Sequence, residues 1–211
     1  YQRLRGTEEI KEVPLLEVEN QQYIHYNKAS VVLYGLRDFV GEDSLNKAFK
    51  ALVDTFAYAE PPWPTALDMY RELEKVVPDS LEYLLIDGFK KITLYNNRVE
   101  KASAHMLPDS TYEVKVKILG EKNYADTLGR ETPASMNDWM DVSILRYPKF
   151  GKKADKSKND VPLVHKRVRL KTGTNEFTFI VDEKPMQAVI DRDNLFFDRV
   201  MQDNLKKVEV E

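Results

Sequence analysis

Tyr112-Glu113-Val114-Lys115-Val116-Lys117-Ile118 alternates apolar and charged side chains without a break. A period of two places Tyr112, Val114, Val116 and Ile118 on one face and Glu113, Lys115 and Lys117 on the other, so the segment reads as a half-buried strand. Working outward, residues 98–107 pair with it through the turn residues Pro108-Asp109-Ser110. Segments 140–147, 163–170, 176–181 and 186–190 are further strands separated by turn residues. Short strands at this spacing point to a β-sandwich. The tract 149–159, with five lysines and one aspartate, separates two of them and reads as a solvated hairpin loop.

Before about residue 93 the apolar period is helical. Leu45, Ala48, Phe49, Leu52, Val53 and Phe56 share one face of a 3.6-residue helix, started by Gly41-Glu42-Asp43-Ser44. Residues 28–40 carry Ala29, Val32, Leu33, Leu36, Phe39 and Val40 on a similar face and stop at Gly41. Glu60-Pro61-Pro62-Trp63-Pro64 cannot continue a helix. After it Thr65 with Asp68 resembles a capping box opening a helix over 66–77. Pro78 ends that helix, and Asp79 with Glu82 starts a fourth, with Leu81, Leu84, Leu85, Phe89 and Ile92 on one face. The predicted class is α+β: an antiparallel helical array followed by an all-β, immunoglobulin-like sandwich. The predicted divisions are an extended lead-in over 1–27, a helical subdomain over 28–95 and a β-sandwich domain over 96–211.

Composition narrows the chemistry. The 211 residues include no cysteine, which excludes disulfide scaffolds, thiolate metal sites and cysteine nucleophiles. With 32 basic against 35 acidic residues there is no electrostatic case for nucleic acid as a partner. No apolar stretch approaches the roughly 18 residues of a membrane span, so no direct membrane insertion is expected. Three histidines, His25, His105 and His165, stand in no metal-ligand spacing. Gly-rich phosphate loops and G-x-S-x-G elbows are missing, and acid pairs are expected by chance among 35 carboxylates. On the residues alone, Tyr23, Tyr26 and Tyr34 read as packing residues with wet hydroxyls, His25 as a surface or loop residue, and Trp63 and Trp139 as packing anchors.

The stretch from Gln21 to Val40, followed by G-E-D-S-L-N-K-A-F, resembles the aminopeptidase N family of gluzincin zinc metallopeptidases. In that family a Tyr-x-Lys-Gly stretch opens a helix, followed by an apolar run, a Gly-Glu and a Leu/Phe-patterned helix. Tyr26, Lys28, Gly41, Glu42 and Leu45 occupy those places, with Ala29 where the family has glycine. Thr65 to Leu73 resembles the family's T-x-x-D helix, and Lys122, Ala125, Asp126 and Gly129 its K-x-x-A-D-x-x-G turn. Asp191, Asp198-Arg199 and Asp203-Asn204 are similar to late landmarks of bacterial members, with Arg192 in place of a usual proline. The resemblance covers essentially the whole chain. It is strongest to bacterial proteins that fuse an ABC-type exporter permease to such a peptidase module.

The resemblance implies that Tyr26 is the catalytic tyrosine, its phenol donating to the oxyanion of the tetrahedral intermediate. It implies a zinc held by an H-E-x-x-H helix and a third glutamate upstream of the Tyr motif, so that this chain contributes no metal ligand and no cofactor-binding residue. The chain, which begins Tyr1-Gln2-Arg3, is therefore expected to be the C-terminal fragment of a membrane-linked hydrolase, inactive alone, at the extracytoplasmic face of a bacterial membrane. Expected partners are the upstream part of the same polypeptide, a peptide substrate of the parent, and a second copy through residues 28–92. The alternative is a non-catalytic scaffold or interaction module of a transporter-associated protein.

Overall fold

The computed structural model describes residues 1–5, 11–148 and 161–211, and the lysine-rich tract 149–159 lies outside them. These residues divide into two compact units, Tyr1–Leu94 with Tyr124–Thr132, and Tyr95–Asn123 with Pro133–Glu211. The class is mixed α+β.

The first unit is helical. A π-helical turn, Tyr23–Lys28, runs directly into α1, Ala29–Val40, which ends at Gly41 with φ of 86°. Glycine reaches that backbone conformation without the steric cost that a Cβ would impose. Helix α2, Glu42–Phe56, sets Glu42 and Asp43 at its positive end. Helix α3, Ala66–Glu74, opens on the expected capping box: the Asp68 carboxylate accepts from the Thr65 backbone N–H and hydroxyl, both at 2.8 Å. Those bonds, the backbone one foremost, hold the Asp68 carboxyl below its usual range. The fourth helical segment is composite: a 3₁₀ turn Asp79–Leu81, the short α4 Glu82–Leu85, and a second π turn Ile86–Lys90. Leu36, Leu45, Ala48, Tyr70, Leu73, Leu85 and Phe89 form the core of this unit. A Cβ on Gly88 would stand 2.7 Å from Val32 Cγ1, so glycine permits the close approach of the last segment to α1.

The structure departs from the sequence expectation at three places. The 1–27 lead-in is not simply extended: it contains 3₁₀ turns at Gln2–Leu4 and Leu15–Glu17 and most of the first π turn, and it gives Leu15, Tyr23 and Ile24 to the core. Val53 lies on the flank of its helix, 60% exposed. Trp63 is no packing anchor at 66% exposure, because every residue of the proline-rich connector from Glu60 to Thr65 is exposed.

Eleven strands are described. They are β1 Ile92–Tyr95, β2 Arg98–Met106, β3 Tyr112–Gly120, β4 Lys122–Ala125, β5 Glu131–Ala134, β6 Asn137–Arg146, β7 Val164–Lys171, β8 Gly173–Val181, β9 Pro185–Ile190, β10 Leu205–Lys207 and β11 Glu209–Val210. They form sheets in the orders β1-β4-β5, β10-β9-β6-β7 and β11-β2-β3-β8. In the last, Val114, Val116 and Ile118 of β3 are buried, as their alternation requires. Central strand β6 is buried along nearly its whole length: Met140, Val142 and Ile144 alternate with Asp141 and Ser143.

Candidate functional site

Tyr26 sits in the middle of the π turn. Such a turn replaces i→i+4 bonds with i→i+5 bonds and recurs at functional sites, because the extra residue re-aims one side chain. Here the Ala29 N–H reaches both Ile24 O and Tyr26 O, while Ile24 and His25 N–H both bond Gln21 O at 2.9 and 3.1 Å. Tyr23, Ile24 and Lys28 are the buried anchors, at 2%, 0% and 1% exposure. Tyr26 is turned the other way and is 64% exposed. Its hydroxyl makes no hydrogen bond among the described residues, and its ring meets the His25 ring at 4.7 Å. The His25 Nδ1 is buried without a hydrogen-bond partner there.

Beneath the turn lies a charged cluster that the sequence did not announce. The Tyr1 hydroxyl and Arg5 Nε both donate to Glu12, the latter at 2.6 Å. Lys28 Nζ lies 5.4 Å from the Tyr1 ring centroid and makes a long bond, 3.4 Å, to Lys91 O. Burial pushes the Lys28 ammonium down to about 8; Glu12 opposes the shift and Arg5 adds to it. The lysine of the Tyr-x-Lys motif therefore points into the protein and not toward Tyr26's solvent side.

No family model and no curated protein matches this chain.

The three histidines do not converge. His105 stands on β2, 3.8 Å from Glu113, and His165 on β7 shares a 2.9 Å hydrogen bond with Ser143. Among the described residues no group of three histidines or carboxylates is placed to hold a metal ion. No described helix is long and apolar enough to cross a membrane.

Ser143, His165 and Asp141 bear a passing likeness to a nucleophilic triad, and the geometry argues against it. Ser143 is fully buried. The Asp141 carboxylate is held by the Arg167 fork at 3.0 and 2.7 Å and lies 3.9 Å from His165 Nε2.

The later aspartates serve as backbone caps. Asp191 accepts from Leu195 and Phe196 N–H at 2.8 and 3.1 Å, Asp198 from Asn97 and Val200 N–H at 2.8 and 3.0 Å, and Asp126 from Leu128 and Arg130 N–H at 2.8 and 2.9 Å. Lys122 pairs with Asp138 in the interior. Trp139, expected as a packing anchor, is half-buried with the Arg169 guanidinium 4.3 Å above its ring.

Proposed function

We propose that this chain is the C-terminal part of a membrane-linked protein of the aminopeptidase N kind, in which Tyr26 donates a hydrogen bond to the oxyanion formed as a peptide carbonyl is attacked. The observation that carries the reading is the pose of Tyr26: an exposed phenol whose hydroxyl makes no hydrogen bond among the described residues, on a π turn whose flanking residues are locked in the core. A phenol suits the role. It is a neutral donor, and aiming it where charge develops stabilises the transition state more than the ground-state carbonyl. Rigid anchorage on both sides keeps that aim without reorganisation at the moment of reaction.

Zinc, where the whole protein holds it, would polarise the carbonyl; its ligands belong to other residues of the polypeptide. We place those upstream residues against residues 28–92 of the first unit, where Tyr34, Tyr58 and Trp63 are exposed. The two larger sheets are read as an immunoglobulin-like sandwich. The test is Tyr26→Phe in the full-length protein, with Tyr34→Phe as the control. Loss of peptide hydrolysis in the first alone supports the reading, equal activity in both variants makes Tyr26 a surface residue without a catalytic role, and a full-length protein that hydrolyses no peptide favours the scaffold alternative.

A further inference from the structure

Among the described residues the edges of the two four-stranded sheets are defended in different ways, with one exception. Strands β10 and β11 are three and two residues long, too short to template another chain. Among the described residues strand β7 bonds only to β6, and its eight residues include Lys166, Arg167, Arg169 and Lys171, a row of charge that repels a neighbouring strand. Strand β8 has neither defence. It is nine residues long, pairs only with β3 among the described residues, and in Gly-Thr-Asn-Glu-Phe-Thr-Phe-Ile-Val carries one charge, Glu176.

In a strand bonded on one side, alternate N–H and C=O groups point away from the partner. From Glu176 to Val181 no further backbone hydrogen bond is made among the described residues beyond the β3 ladder. At the other end the Asn175 side chain bonds back to Lys171 and Gly173 and closes the hairpin, so the open edge begins at Glu176. Ile180 on this stretch is 54% exposed, and the Phe177 and Phe179 rings lie 6.5 Å apart.

We propose that this edge pairs antiparallel with the same edge of a second copy, about a two-fold axis at Thr178, joining two four-stranded sheets into one of eight. Register and charge select that axis. Side chains keep their faces only if the axis passes through a residue, since a one-residue slip exchanges the buried and exposed sets. An axis at Glu176 would oppose two carboxylates, and one at Phe177 would set them diagonally. At Thr178 each Glu176 faces Ile180 of the second copy, while Lys117 lies opposite it in its own sheet. Thr178 then meets Thr178, and Phe177 meets Phe179 twice, the threonine and aromatic pairings that stabilise cross-strand contacts. The interface is small, so the dimer belongs to the weak, concentration-dependent class.

Sedimentation equilibrium of the 211-residue chain over a wide concentration range tests this. A reversible dimer is expected, and Thr178→Lys, which sets two ammonium groups against each other on the axis, is expected to weaken it at least roughly tenfold. Because the chain has no cysteine, Thr178→Cys is expected to give a disulfide-linked dimer on mild oxidation, while Thr174→Cys, which faces residue 182 in this register, is not. That pair of variants decides the matter if the lysine variant fails to fold. A strict monomer, a dimer that Thr178→Lys leaves intact, or equal cross-linking at positions 174 and 178 overturns the proposal.

Discussion

Lys122 Nζ lies 2.8 Å from Asp138 Oδ2, with both side chains at least 95% removed from solvent, and the Tyr95 hydroxyl donates to the same oxygen at 3.2 Å. Removing one member of such a pair strands the other as an uncompensated buried charge. Lys122→Met should therefore cost about 3–5 kcal/mol of unfolding free energy. Replacing both, as Lys122→Met with Asp138→Leu, should recover most of that and leave a deficit of about 1 kcal/mol for the tyrosine's lost acceptor. Urea denaturation of the three variants measures this. A double variant as unstable as the single one would show that the pair itself, and not the stranded charge, carries the energy.

Lys28 is the reverse case, a buried ammonium with no carboxylate oxygen in salt-bridge contact among the described residues. Its folded pKa of about 8 lies below the unfolded value near 10.4, so between those values the unfolded state binds more protons and stability rises with pH. Below about pH 8 the full penalty is present. Lys28→Met keeps the aliphatic stem and removes the charge, so it should stabilise the protein at pH 7, by on the order of 3 kcal/mol at most. The gain should shrink between pH 8 and 10.4. A variant less stable than the parent at pH 7 would mean that the contacts with Lys91 O and the Tyr1 ring outweigh burial.

Asp191 also titrates against folding. Burial raises its carboxyl to about 7 despite the two backbone N–H bonds it accepts, with Asp198 and Asp141 adding to the shift. The folded state thus binds more protons than the unfolded between about pH 4 and 7, and stability falls as pH rises through that window. Asn tolerates the φ of 48° at this position and keeps an acceptor for Leu195 N–H. Asp191→Asn should therefore flatten the stability profile between pH 4 and 7, as chemical denaturation at stepped pH would register. An unchanged slope would place the titration elsewhere.

The features legible in the sequence were those governed by local periodicity and capping. Val114, Val116 and Ile118 are buried because alternation leaves them no other face, and Thr65 with Asp68 caps a helix because both partners lie within one turn. Strands β10 and β11 are invisible to periodicity at three and two residues, and exist only because β9 and β2 offer edges far away in the chain. The π turn at Tyr23–Lys28 has no residue signature of its own, so the segment 1–27 could not be seen to contribute to the core. At the candidate site the sequence singled out Tyr26, but not the burial of Lys28 two residues on, which follows from the placement of Tyr1, Glu12 and Lys91.

The most direct test of the oxyanion role is the kinetic split for Tyr26→Phe in the full-length protein. A donor engaged chiefly in the transition state lowers kcat and leaves KM nearly unchanged when it is removed. The loss expected for one donor is about 100- to 1000-fold, while unfolding free energy should change by less than about 1 kcal/mol because the ring of this exposed residue is retained. An oxyanion donor at Tyr26 predicts that split, with Tyr34→Phe at full activity. An active protein in which Tyr26→Phe keeps its kcat, or raises only KM, contradicts it.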